Sequence, residues 1–173
     1  MNELERWVNF FLLMAAASST LIGLSFVVIT LAAERRPEHS AKIPIYITPP
    51  FIGYSAVLFL AALLIFPNHT RFTAALSMWV VGGIGLVYSG SFLVRPGVWK
   101  SYFEQHDFIA YAAIPFAAYG AVIWGGVLTY YDPTNGLTLV AVGMLCLLAN
   151  AIRNSWAIAV GVVSRPSGSE DSK

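Results

Sequence analysis

Charged residues are scarce in this chain. They make up 11% of its 173 residues, whereas hydrophobic residues make up 57%. A typical soluble domain carries about 25% charged residues, and a chain of this length has too much surface for its volume to hide so many apolar side chains from water. Ten basic residues nearly balance nine acidic ones, giving a net charge of +1. The charge balance therefore gives no indication of the basic surface that nucleic-acid binding needs.

Five long apolar segments are present. They cover about residues 7–33, 47–66, 73–94, 108–129 and 137–163. A hydrocarbon core of ~30 Å needs about 20 helical residues to cross it, and in lipid a lone segment satisfies its own backbone only as a helix. The pattern predicts an all-α integral membrane bundle, a single domain of residues 1–163 with about five transmembrane helices. Residues 164–173 are small and polar, which predicts a disordered cytoplasmic tail.

Two of these segments leave a boundary open. The second has Pro49 and Pro50 at its start, where the N–H groups that proline lacks would have no partner in any case. In the fifth, a polar stretch at residues 150–156 separates two apolar parts. Either one helix runs through this polar stretch, or the helix ends near Trp156 and the remainder lies at the membrane interface.

The distribution of basic residues predicts the orientation of the chain. The N-terminal tail and the second and fourth loops contain Arg6 and Arg71. The first and third loops and the C-terminal tail contain Arg35, Arg36, Lys42, Arg95, Lys100, Arg165 and Lys173. Loops rich in Lys and Arg stay in the cytoplasm. We therefore expect the N-terminus outside, and the first loop, the third loop and the C-terminus inside.

The chain lacks the residue sets of most catalytic and metal sites. Its single cysteine, Cys146, allows neither an internal disulfide nor a thiolate metal cluster. A catalytic zinc needs three converging ligands, but His39 and His106 fall in predicted cytoplasmic loops and His69 in an outer loop. No HExxH, GxSxG or glycine-rich phosphate loop occurs. We therefore expect no metal, no cofactor and no enzymatic activity.

Arg153 lies well inside an apolar segment. An arginine at the bilayer centre costs about 2.5–3.5 kcal/mol on insertion scales. Asn150, Arg153 and Asn154 are spaced i, i+3 and i+4, so they share one helical face and form the candidate polar intramembrane cluster. Small residues continue this face, so we expect Arg153 not to face lipid. The candidate charge partners are Glu34, at the end of the first helix, and Asp107, at the start of the fourth.

Three roles for Arg153 stay open. In the first, it is a snorkelling anchor or a polar clasp that holds the fifth helix to the first and fourth. In the second, it belongs to a ligand or ion site that faces a polar cavity. In the third, it belongs to a binding surface for another membrane protein. No Asp or Glu lies within a predicted span, which argues against a proton relay.

Small residues recur at close spacing in three segments, and such stripes let helices approach closely in lipid. They predict internal packing of the bundle or, alternatively, a homo-oligomer interface. The stripes are Ala15, Ser19 and Gly23 in the first segment, Gly82, Gly83, Gly85, Ser89 and Gly90 in the third, and Ala113, Ala117, Ala121 and Gly125 in the fourth.

Two motifs resemble those of a group of small uncharacterised bacterial multi-span membrane proteins. Trp7-Val8-Asn9-Phe10-Phe11 resembles the opening helix of the group, and Ile152-Arg153-Asn154-Ser155-Trp156 resembles its closing motif. The group often has an acid directly after the tryptophan, where this chain has Ala157. The resemblance implies a bacterial inner-membrane location and roughly five spans, and it implies no activity, cofactor or substrate.

The sequence favours a non-enzymatic accessory or interaction protein of the bacterial inner membrane, because its loops are short and several helix faces can pack closely. Its expected partners are the lipid bilayer and either a second copy of the chain or another membrane protein. The alternative is a small oligomeric channel or transporter in which Asn150, Arg153 and Asn154 line a polar path. A membrane-embedded enzyme is the least favoured function.

Overall fold

The computed structural model describes residues 3–35, 43–67, 70–94 and 109–163. Of these residues 97% are helical, and none forms a strand. The helices are α1 (Glu3–Arg35), α2 (Ile43–Ile65), α3 (Arg71–Val94), α4 (Ile114–Tyr131) and α5 (Pro133–Val163), and a π-helical turn (Ile109–Ala113) leads directly into α4. Five helical stretches are long and apolar enough to cross a membrane. The predicted all-α bundle of five membrane-spanning helices is therefore confirmed.

Consecutive helices run antiparallel. Phe26, late in α1, packs edge-to-face on Phe51, early in α2, with 5.4 Å between ring centroids. Gly90, late in α3, lies against the ring of Phe116, early in α4. A single residue, Asp132, joins α4 to α5, and these two helices form the most extensive contact of the bundle. The helices α2 and α5 also pack on each other and on α1, so these two helices occupy the centre of the bundle.

The apolar core occupies one half of the bundle, toward the short α2–α3 and α4–α5 connections. Its buried side chains include Phe11, Met14, Val57, Leu60, Leu64, Met78, Leu137, Val140 and Met144. The outer surface is also apolar, with Leu13, Ile84 and Val87 each more than half exposed. Lipid is the solvent that suits such a surface.

Glycines bring α3, α4 and α5 close together. A Cβ at Gly85 would collide with the ring of Tyr119, and a Cβ at Gly136 would collide with the backbone of Thr129. The small-residue stripe of the third segment is thus used inside the bundle at Gly82, Gly85 and Ser89, which are buried, but not at Gly83, where a Cβ would meet nothing within 4 Å. The stripe of the first segment is not, because Ser19 and Gly23 are exposed.

Helix caps explain why α3 and α5 begin before their predicted starts. Thr70 and Thr73 bond reciprocally, each hydroxyl accepting from the other's backbone N–H, so α3 begins at residue 71. Asp132 caps α5, since its carboxylate accepts from the backbone N–H and the side chain of Asn135, and Pro133 follows at the first helical position. In α2, Pro44 takes the first-turn place expected for Pro49 and Pro50, which instead lie inside the helix.

The fifth helix is continuous. It runs unbroken from Pro133 to Val163, and its apolar stretch extends to Ala157. Of the two predicted possibilities, the helix that runs through the polar residues 150–156 is therefore the observed one. Polar side chains do not end a helix in a membrane when a neighbouring helix offers them hydrogen-bond partners.

Candidate functional site

Two buried amides of α5 converge on one backbone carbonyl at the start of the fourth span. The Nδ2 of Asn150 donates to the carbonyl oxygen of Ala110 at 2.8 Å, and the Nδ2 of Asn154 donates to the same oxygen at 3.4 Å. Asn150 is 8% exposed and Asn154 is 2% exposed. The two asparagines of the predicted cluster therefore join α5 to the π-helical turn.

The carbonyl of Ala110 is open to these amides because of Pro115. In a π-helical turn each carbonyl accepts from the N–H five residues later. For Ala110 that residue is Pro115, which has no N–H to donate. A carbonyl without a partner in an apolar surrounding costs about 1–3 kcal/mol. The side chains of α5 supply the missing donors, and the π-helical turn and the asparagines thus stabilise each other.

Arg153 does not join this inward cluster. It is exposed, next to the exposed residues Ile152 and Trp156, so it lies outside the interior of the bundle, and the expectation that it does not face lipid stays a prediction. At about 100° per residue, Arg153 lies about 60° to one side of Asn150 and about 100° from Asn154, which places it at the edge of the inward face. Its Nη1 donates to the Oδ1 of Asn154 at 3.4 Å, a long hydrogen bond.

The side chains of the two candidate charge partners of Arg153 are not among those that the structure describes. Glu34 belongs to the last turn of α1, but its side chain is not among those described, and Asp107 falls between the described ranges. The pairing of either carboxylate with Arg153 stays a prediction.

A second polar contact links α2 to α5. The hydroxyls of Tyr54 and Ser155 lie 3.1 Å apart, and Tyr54 is 1% exposed. Next to it, Gly53 allows α2 to approach Ala151, since a Cβ at Gly53 would lie 3.2 Å from that of Ala151. Sequence reasoning missed Tyr54 because an aromatic residue in an apolar run is usually core. The signal was its hydroxyl, because a buried tyrosine usually finds a hydrogen-bond partner.

A small cavity lies beside the asparagines, and we refer to it as the asparagine–tyrosine cavity. It offers ≈ 20 Å³ to the centre of a water-sized sphere. Its lining comes from α2, α3, α4, α5 and the π-helical turn, namely Pro49, Ile52, Gly53, Tyr88, Tyr111, Pro115, Tyr119, Leu147, Asn150, Ala151 and Asn154. Its polar side chains are hydroxyls and amides, which are uncharged at neutral pH. Arg153 is not part of this lining.

One polar atom at this cavity stands out. The Oδ1 of Asn150 is buried and has no hydrogen-bond partner within the ranges that the structure describes. The Nδ2 of Asn150 already donates a hydrogen bond to the carbonyl oxygen of Ala110. The site therefore offers a buried acceptor that needs a donor.

Within the same ranges, no three His, Cys, Asp or Glu residues are grouped to hold a metal ion. The cluster instead consists of neutral amides, hydroxyls and a backbone carbonyl, with one guanidinium at its outer edge. Comparison of the chain with protein-family models, with curated proteins and with solved structures finds no match.

Proposed function

We propose that this chain is a non-enzymatic accessory or interaction protein of the bacterial inner membrane, and that α1 carries its contact surface for another membrane helix. The low burial of α1 carries the proposal. In the most apolar stretch of α1 only 11% of the residues are buried, against 56% in α5. A helix of which so little is buried by its own bundle leaves most of its surface to lipid or to a partner.

The exposed side of α1 suits close contact with a helix. Ala16, Ser19, Thr20 and Gly23 are exposed and follow one another at i, i+3, i+4 and i+7, and we call them the α1 surface. The hydroxyls of Ser19 and Thr20 donate to the carbonyl of Ala16 at 3.0 and 2.9 Å. An approaching helix would therefore meet small side chains whose donors are already satisfied, which favours tight packing in lipid.

The alternative of a small channel or transporter has less support. It needs Asn150, Arg153 and Asn154 to line one polar path. The two amides instead bind the carbonyl of Ala110, whereas Arg153 lies at the outer surface. This division favours a structural use of the asparagines, and we retain the interaction protein as the proposed function.

Substitution at a glycine tests the α1 surface directly. A Cβ at Gly23 would meet nothing within 4 Å, and the same holds for Gly83 on α3. Gly23→Leu therefore keeps the fold but fills the α1 surface, and Gly83→Leu is its matched control. We expect Gly23→Leu to abolish co-purification of a defined membrane partner or of a tagged second copy, and Gly83→Leu to retain it. Equal retention by both variants would overturn the proposal.

The orientation inferred from the basic residues is part of the same proposal. Cys146 is exposed on the apolar stretch of α5, and the test uses a Cys146→Ala background so that a cysteine introduced at Glu3 is the single thiol of the chain. We expect a membrane-impermeant maleimide to label this cysteine in intact cells. Labelling only after the membrane is opened would place the N-terminus inside instead.

A further inference from the structure

We propose that the asparagine–tyrosine cavity binds a single water molecule, held by the Oδ1 of Asn150 and by tyrosine hydroxyls of α3 and α4. This water would join α5 to the neighbouring helices inside the membrane. The inference is independent of the proposed interaction through α1, because it concerns the interior of the bundle.

The hydrogen-bonding capacity of Asn150 is the first step. A side-chain amide has two N–H donors and an oxygen with two lone pairs. The Nδ2 of Asn150 donates to Ala110, but the buried Oδ1 has no partner among the described residues. Turning the amide over does not help, because it would bring Oδ1 against the carbonyl of Ala110, another acceptor. Asn150 therefore needs a donor on its other side.

The cavity provides the space and the partners for that donor. A buried water needs roughly 10–15 Å³ of such volume and two to four polar neighbours, and the cavity offers ≈ 20 Å³. Tyr88 and Tyr119 line it together with Asn150, and the hydroxyl oxygen of Tyr88 is buried. A water here would donate to the Oδ1 of Asn150 and accept from a tyrosine hydroxyl.

The position of the cavity supports the same ligand. Two helices that line it contain a proline there, Pro49 inside α2 and Pro115 in the first turn of α4, directly after the π-helical turn. Ordered waters commonly satisfy backbone groups where proline interrupts a membrane helix.

Pockets for drug-sized ligands occupy about 300–1,000 Å³. A cavity of ≈ 20 Å³ is far below that range, which leaves a water-sized ligand.

A structure of the full chain in a lipid environment, at a resolution that shows ordered waters, tests the proposal. We expect a density peak about 2.7–3.2 Å from the Oδ1 of Asn150. We also expect Tyr88→Phe, which removes one hydroxyl and keeps the ring, to weaken or move that peak while the chain stays folded. A direct hydrogen bond from a protein group to this oxygen would overturn the proposal, and so would the absence of a peak in a well-ordered cavity.

A bound sodium ion is the competing occupant, and a second measurement separates it from water. If water is bound, we expect the melting temperature in detergent to be the same in sodium chloride and in choline chloride at equal ionic strength. A higher melting temperature in sodium chloride, lost in Asn150→Leu but not in Arg153→Leu, would assign the site to the ion and overturn the proposal.

Discussion

At the scale of single residues, the predicted cluster divides into two inward amides and one outward guanidinium. The spacing i, i+3 and i+4 gave the right helix side for Asn150 and Asn154. It placed Arg153 less well, because a shared face spans about 100° and the edge of that face lies at the surface of the bundle. Spacing alone does not say where along this arc the neighbouring helix makes contact.

Leucine substitutions separate the roles of these residues. Asn150→Leu leaves the carbonyl of Ala110 with only the 3.4 Å hydrogen bond from Asn154. We expect it to lower the free energy of unfolding by about 1–3 kcal/mol. Arg153→Leu removes an exposed side chain with one long hydrogen bond, and we expect a change within about 0.5 kcal/mol. Unfolding in mixed micelles, followed by circular dichroism, measures both. If Arg153→Leu lowered the free energy of unfolding more than Asn150→Leu does, the guanidinium and not the amide would be the side chain that holds α5 to its neighbours.

Two buried serines make a second comparison at this scale. Ser18 and Ser89 are both fully buried. The hydroxyl of Ser89 donates to the carbonyl of Gly85 at 2.8 Å, whereas that of Ser18 has no partner in the described ranges. We expect Ser89→Ala to lower the free energy of unfolding by about 0.5–1.5 kcal/mol, and Ser18→Ala to leave it unchanged or raise it. Equal losses in the same assay would mean that the Ser18 hydroxyl is bonded.

At the scale of secondary-structure elements, the sequence predicted which segments are helical better than where they begin. Counting apolar residues places the start of the fifth segment at residue 137, but the cap of α5 is polar and lies at Asp132 and Pro133. The signal was present, since Asp followed by Pro is typical of a helix start. The π-helical turn is different, because the donor that stabilises it, Asn150, is 40 residues away from Ala110. Local sequence does not contain that partner.

The link between Pro115 and Asn150 predicts energetic coupling between two elements. In Pro115→Ala, a backbone N–H becomes available to Ala110, from residue 115 in a π-helical register or from residue 114 in an α-helical one. The carbonyl then depends less on α5. We expect Asn150→Leu to cost about 1 kcal/mol less in the Pro115→Ala background than in the natural sequence.

The double-mutant cycle uses the same unfolding assay. Pro115→Ala combined with Ser89→Ala is the control, because Ser89 bonds within α3 and shares no partner with Ala110. We expect additivity for this control pair. Additive effects of Pro115→Ala and Asn150→Leu would mean that the proline is not what leaves the carbonyl open.

At the scale of the whole molecule, the bundle has two unlike halves. The half near the α2–α3 and α4–α5 connections contains the apolar core, and the other half contains the asparagines, the asparagine–tyrosine cavity and the π-helical turn. The positive-inside distribution would put the polar half toward the cytoplasm. Because α5 is apolar only as far as Ala157, Arg153 would lie about 6 Å from that end, within reach of the lipid phosphates by snorkelling.

Tryptophan fluorescence tests where the bilayer lies along these helices. Trp124 and Trp156 are 60% and 71% exposed, so they meet the surrounding solvent to a similar extent. Trp156 is one residue from the end of the apolar stretch Pro133–Ala157, whereas Trp124 lies about 10 Å inside the stretch Ile109–Tyr131. In variants that keep either Trp124 or Trp156 as the single one of the chain's five tryptophans, we expect lipids brominated near the headgroup to quench Trp156 more strongly. Lipids brominated near the chain ends should quench Trp124 more strongly. Equal depths for Trp124 and Trp156 would contradict this placement of the membrane. Strong quenching of both tryptophans by acrylamide, which stays in the aqueous phase, would mean that water and not lipid surrounds the bundle.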